Sequence, residues 1–317
     1  MSFITMGKSS LAVLVSLVSL VSLAAGTIAL TACDAHGQAL AEHRPAAAMY
    51  SFRAVVAGHG PPMILIPGLM ADGAVWDAFV ARYRDRYEMH VLTLPGFAGV
   101  EPLAPGTSLL ANVRDDVVRY LREHNLHRPV LVGHSLGGFL AFAIAAANPE
   151  LVGPIVSVDG VPFLNALTDP TATTATTRGM AEQMRTVYSA LSASQLELQS
   201  RPALMQMMRD TARVALAATW AGRSDPRTVG TAVFEMSTTD LREAVAAIRT
   251  PVLLIGAAAF ATDSATRARV QGAYEAQVRR VPDHTVVLAV EARHYIMYDD
   301  PSFLYAALDR FLARAGR

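Results

Sequence analysis

From residue 50 to the end of the chain, short apolar runs alternate with segments whose apolar residues recur every three or four positions. YSFRAVVAGHGPPMILIPGL (50–69) holds two strand-like runs around the turn Gly58, His59, Gly60, Pro61 and Pro62. Val75 to Tyr83 reads as helix, and EMHVLTL (88–94) as a strand ended by Pro95 and Gly96. Leu109 to Glu123 carries apolar residues at helical spacing. PVLVG (129–133) is a buried strand, followed by a helix over 136–147 that Asn148 and Pro149 stop. GPIVSVD (153–159), PVLLIG (251–256) and TVVLAV (285–290) supply three more strands. A helical run over 264–280 separates the last two, and a final helix covers about 302–315. Strands alternating with helices predict an α/β fold, a mostly parallel central sheet flanked by helices on both faces.

Residues 162–240 break this rhythm. They hold no convincing strand, and are Thr-rich at first, then helical and Met-rich, with Met180, Met184, Met205, Met207 and Met208. Their place before the last two strands predicts an inserted helical lid. Methionine also packs well as ordinary core filler, so the five need not share a role.

The first 32 residues follow another pattern. Lys8 is the only charge ahead of a long apolar stretch, Leu11 to Leu30, as in a secretory signal. The stretch ends in Leu30-Thr31-Ala32-Cys33, which resembles a bacterial lipobox and contains the only cysteine of the chain. That resemblance implies cleavage before Cys33, lipid on Cys33, and an exported envelope lipoprotein held to a membrane through its N-terminus. An uncleaved membrane anchor is the alternative, because about 20 apolar residues can span a bilayer. Residues 33–48, Ala-rich and polar, read as a tether.

Gly133-His134-Ser135-Leu136-Gly137 places a serine between two glycines where a strand gives way to a helix. A nucleophile on such a tight turn is pushed clear of the backbone, and small residues two positions to either side let strand and helix approach. The following helix aims its first amides at developing negative charge. On these residues the chain resembles the α/β-hydrolase family, from residue 50 to 317. Residues 49–161 and 241–317 then form the core, and 162–240 the lid. Ile66-Pro67-Gly68-Leu69 matches the family's oxyanion loop. The resemblance implies that the amides of Leu69 and Leu136 hold an oxyanion.

A general base is expected after the last strand. His284 precedes TVVLAV, which puts it at the opposite end of a parallel sheet from Ser135; His294 follows it, in EARHYIMYDDP, and is the expected base. Relatives mostly turn the residue before the nucleophile away from the active centre, which leaves His134 out. The usual place for the acid, three residues after the glycine that ends the penultimate strand, reads Gly256-Ala257-Ala258-Ala259 and holds no carboxylate. Two replacements remain. Asp159 ends the strand GPIVSVD, and Asp263 lies beyond the alanines, where TDSATRARV also reads as a helix cap. Because capping accounts for Asp263, Asp159 is preferred.

Composition narrows the rest. Lys plus Arg and Asp plus Glu both total 27, so no basic excess points to nucleic acid. One cysteine excludes internal disulfides and Cys-rich metal sites. The function expected is a carboxylesterase-like serine hydrolase acting on a small-molecule acyl substrate through Ser135, His294 and Asp159, with no cofactor or metal. Lactonase, thioesterase, aminopeptidase and carbon–carbon bond hydrolase chemistry fit the same three residues, and a non-catalytic binding protein is the rival from another class. The lid and its methionines suggest a mostly apolar acyl pocket.

Overall fold

The strands follow the apolar runs closely. In a computed structural model, which describes residues 50–316, seven strands form one sheet in the order β1-β3-β2-β4-β5-β6-β7. They are β1 Arg53–Gly58, β2 Pro62–Ile66, β3 Glu88–Thr93, β4 Val130–His134, β5 Ile155–Val158, β6 Val252–Ala257 and β7 His284–Ala289. β1 pairs antiparallel with β3, while the other neighbours run parallel. The signal segment, Cys33 and the tether expected up to residue 48 lie outside the described residues.

Why the inner strands read as unbroken apolar runs follows from period-two geometry with both faces covered. Ile64, Ile66, Leu131, Ile155 and Leu254 point to one cluster, with the helices Leu109–Glu123 (α2), Leu136–Ala147 (α3) and Ser264–Val278 (α8). Met63, Leu65, Val130, Val132, Val156, Val158 and Ile255 point to the other, with Asp77–Tyr83 (α1) and Pro301–Arg314 (α10). The helix expected from Val75 opens instead as a 3-10 turn, Gly73–Trp76, because the Asp72 carboxylate accepts from the Ala74 amide and starts the turn early. A short helix, Ile296–Asp299 (α9), follows β7.

Four helices lie between β5 and β6: Thr174–Ser189 (α4), Ala193–Met207 (α5), Thr211–Ala221 (α6) and Pro226–Thr238 (α7). Each has a side-chain cap written in the sequence. Thr173 and Ser192 form capping boxes with Thr176 and Gln195, and Asp210 and Asp225 cap the other two. Among the described residues no helix is long and apolar enough to cross a membrane.

Candidate active site

Ser135 sits at φ 54°, ψ −116°, between β4 and α3. A side chain rarely adopts this backbone, and such strain costs on the order of 1–3 kcal/mol. The surroundings hold it in place. The Ser135 amide donates to the Val158 carbonyl at 3.0 Å, and its carbonyl accepts from the Phe139 amide. The flanking glycines are required by contact. A Cβ on Gly133 would lie 2.1 Å from the Gly137 carbonyl oxygen, and one on Gly137 would lie 2.1 Å from that of Ile66. Without side chains there, the start of α3 closes onto the end of β2, next to the loop that carries Leu69.

Parallel pairing of β2, β4, β5, β6 and β7 sends their C-terminal ends to one edge of the sheet. Leu69, Ser135, Asp159 and His294 follow β2, β4, β5 and β7 there. Leu69, Ser135 and His294 line one cavity of about 30 Å³, roofed by α5. The roof is a single helical face, Ser200, Ala203, Leu204 and Met207, spaced as one side of a helix requires. Leu136 is fully buried in the first turn of α3.

His294 Nδ1 lies 2.6 Å from Asp159 Oδ2. Paired with a carboxylate, Nδ1 carries the proton, which leaves Nε2 free to accept one. The Asp159 side chain is wholly buried, and a carboxylate survives burial only where its oxygens are satisfied. Its Oδ1 accepts from the Ala257 amide at 2.8 Å and the Tyr274 hydroxyl at 2.5 Å. Burial, and then the Asp159 charge, push the Tyr274 hydroxyl well above its ordinary pKa, so it remains a donor. Gly256 makes the room: a Cβ there would lie 2.7 Å from the Tyr274 ring. Asp263 stands apart, exposed at the start of α8, where it accepts from the Thr266 amide at 2.8 Å and hydroxyl at 2.7 Å. His284 opens β7 at the far edge, with Nδ1 2.7 Å from the Val281 carbonyl oxygen.

His134 departs from the expectation. It lines the cavity with Ser135, its ring centroid 4.6 Å from that of His294. Its Nε2 donates to the His294 carbonyl at 3.1 Å, tying down the segment that carries His294. The sequence holds no local signal for this contact, which joins residues 160 apart. Burial, and then repulsion from His294, hold the His134 pKa well below the usual 6.5. The unfolded chain therefore takes up a proton that the folded protein refuses. The stability this group contributes is complete above pH 6.5 and is lost as the pH falls below it. The loss approaches about 1.4 kcal/mol per pH unit. Urea unfolding between about pH 7.5 and 5 should show this component in the wild type and lack it in His134→Gln. Identical pH slopes for the two proteins would reject it.

Of the five methionines singled out above, Met207 lines the cavity. Met184 and Met208 are core, and Met180 and Met205 are exposed. Among the described residues no group of three or more His, Cys, Asp or Glu side chains is placed to hold a metal ion.

A mostly parallel sheet with a serine elbow, and a buried histidine–aspartate pair on the same sheet edge, defines an α/β-hydrolase architecture. The chain belongs to the Alpha/beta hydrolase family, whose profile matches residues 63–308. It is similar to Pimeloyl-[acyl-carrier protein] methyl ester esterase of Aeromonas hydrophila, 36% identical over 110 residues that cover 34% of this chain and 41% of that one. It is also similar to the Putative carbamate hydrolase RutD of Serratia proteamaculans, 30% identical over 108 residues that cover 34% of this chain and 40% of that one. Both matches thus span about two fifths of the relative's length. The solved structure of MenH from S. aureus superposes with a TM-score of 0.68 over 85% of this chain and all of that one, at 14% identity, a likeness of fold.

Proposed function

We propose that the protein is a serine hydrolase that cleaves an ester through an acyl-enzyme on Ser135. The reading is carried by one observation: Ser135 shares a small buried cavity with His294, whose other ring nitrogen is held by Asp159. In this reading His294 Nε2 takes the proton of Ser135 as Oγ attacks the carbonyl carbon. The amides of Leu69 and Leu136 hold the oxyanion, a charge that exists only in the tetrahedral state. Collapse breaks the ester bond, and His294 returns the proton to the departing oxygen. Water, deprotonated by His294, then releases the acid. Asp159 fixes the imidazole tautomer and stabilises the imidazolium. The esterase named among the relatives supports an ester over other acyl bonds, though the carbamate hydrolase uses a neighbouring chemistry.

A fluorophosphonate probe tests this directly, since it labels an activated serine and ignores an inert one. One equivalent should attach, at Ser135, and block hydrolysis of p-nitrophenyl esters. An unlabelled, folded protein would mark a binding protein instead.

We also propose that the enzyme is an exported envelope lipoprotein, held to a membrane through lipid on Cys33. Its support is Leu30-Thr31-Ala32-Cys33 behind the apolar run. Residues 162–240 are read as a lid over the core. Mass spectrometry of the mature protein should find a lipid-bearing N-terminal Cys33, absent in Cys33→Ser. An unmodified terminus elsewhere in the wild type rules it out.

A further inference from the structure

A second cavity, of about 350 Å³, lies beside the Asp159–His294 pair and within the size range of small-molecule sites. Neither Ser135 nor Leu69 lines it, and the ester cleavage described above makes no use of it. One wall is a face of α8, where Thr266, Arg269, Val270, Ala273 and Tyr274 recur at helical spacing. Its character changes along the helix. Tyr274 is buried on Asp159 and Val270 is buried beside it, whereas Arg269, nearer the start of α8, is exposed. Arg209, in the turn between α5 and α6, and Arg293, in the loop after β7, line the same cavity. These cations are poorly matched. Arg269 donates to the Thr266 hydroxyl at 2.9 Å, which itself donates to Asp263. Arg293 donates to the carbonyls of Met205 and Met208, which carry no charge. Arg209 comes within 3.9 Å of the Glu291 carboxylate, an exposed group.

We propose that this cavity is a second ligand site, separate from the Ser135 chamber, for a small carboxylic acid with an apolar body. Its carboxylate meets Arg209, Arg269 and Arg293, and its hydrocarbon packs inward on Leu167, Phe260, Val270 and Ala273. The arginines select the charge, because a guanidinium matches a carboxylate in shape as well as in sign. Asp159 sets the orientation. Its oxygens are already taken by His294, the Ala257 amide and the Tyr274 hydroxyl, so it offers a cation no open position. Its negative charge also repels an anion from the inner end, which leaves that end to the apolar body. The apolar walls there gain by burying hydrocarbon. Binding of this kind needs no turnover, so the assignment goes beyond the esterase reading and stands apart from it.

Saturation-transfer NMR on the full-length protein tests it with three probes of one body: hexanoate, hexanol and hexylammonium. Hexanoate should bind about tenfold or more tightly than hexanol, the scale of a charge-assisted contact, and hexylammonium more weakly still. Arg269→Gln, an exposed change, should weaken hexanoate by about tenfold and leave hexanol within about twofold. Ala273→Phe fills the cavity and should remove both, with an unfolding midpoint near that of the wild type. Ser135→Ala and fluorophosphonate-labelled protein should bind hexanoate within about twofold of the wild type, since the site does not include Ser135. Four results would each overturn the proposal: no hexanoate binding, hexanol or hexylammonium binding as tightly, indifference to Arg269→Gln, or loss of hexanoate on labelling at Ser135. If Ala273→Phe does not fold, Arg269→Gln still decides the charge. If fluorophosphonate finds no active serine, the esterase reading fails, and the Arg269 and Ala273 variants still decide this site.

Discussion

Ser135→Ala should reduce ester turnover by about 10⁶-fold, the scale on which losing the nucleophile acts in serine hydrolases, and leave the protein folded. The loss is large because the hydroxyl forms the covalent bond, and no neighbour replaces it. His294 keeps its bond to Asp159, since that bond is made at Nδ1 and not at the nitrogen that serves Ser135. The fold should survive because the elbow is held by backbone bonds and by the close approach of Gly133 and Gly137. Alanine at φ 54° carries a backbone penalty like that of serine, so it adds little strain. Circular dichroism and the unfolding midpoint should match the wild type, and fluorophosphonate labelling should vanish. Turnover persisting in a clean preparation would remove Ser135 from the mechanism.

Asp159→Asn should lower kcat by about 10⁴, and Asp263→Asn should leave it nearly unchanged. An amide at position 159 can still accept from Ala257 and Tyr274 through its oxygen. Its nitrogen then faces His294 Nδ1 as a donor. The imidazole must carry its proton on Nε2 instead, where it cannot accept one from Ser135. The packing is kept and the tautomer is wrong. Asp263 caps α8 and bonds to Thr266. Its replacement should cost roughly 1 kcal/mol of stability or less. Paired kcat and urea measurements on the two variants separate these outcomes. The reverse pattern would make Asp263 the acid, and the His294–Asp159 hydrogen bond incidental.

The insertion's helices show how legible local structure was. Thr173, Ser192, Asp210 and Asp225 stand one residue before helices that begin there. Capping depends on neighbours two or three residues away, and sequence displays those directly. Tyr274 was not legible in the same way. In the helical run it is one more apolar position, and its bond to Asp159 joins residues 115 apart. Gly256 was a signal, since a glycine inside a buried strand marks a close approach, but nothing local says to which side chain.

By itself the sequence determined the elements that repeat locally: strands of period two, helices of period near four, their alternation, and the Gly-x-Ser-x-Gly turn between strand and helix. It also separated His294 from His284, because chain order relative to a parallel strand decides the edge on which a residue emerges. Tertiary structure alone decided the strand order with its antiparallel β1, the placing of Met207 in the cavity with Ser135, and the turning of His134 toward His294. It also decided which of two carboxylates meets the histidine. Asp159 and Asp263 both follow strands that end on the same edge, so topology cannot separate them. The difference is a left-handed backbone at Asp159, φ 53°, and a hydrogen bond across 135 residues. Partners that distant are chosen by how the sheet and its helices pack, and no local period records that choice.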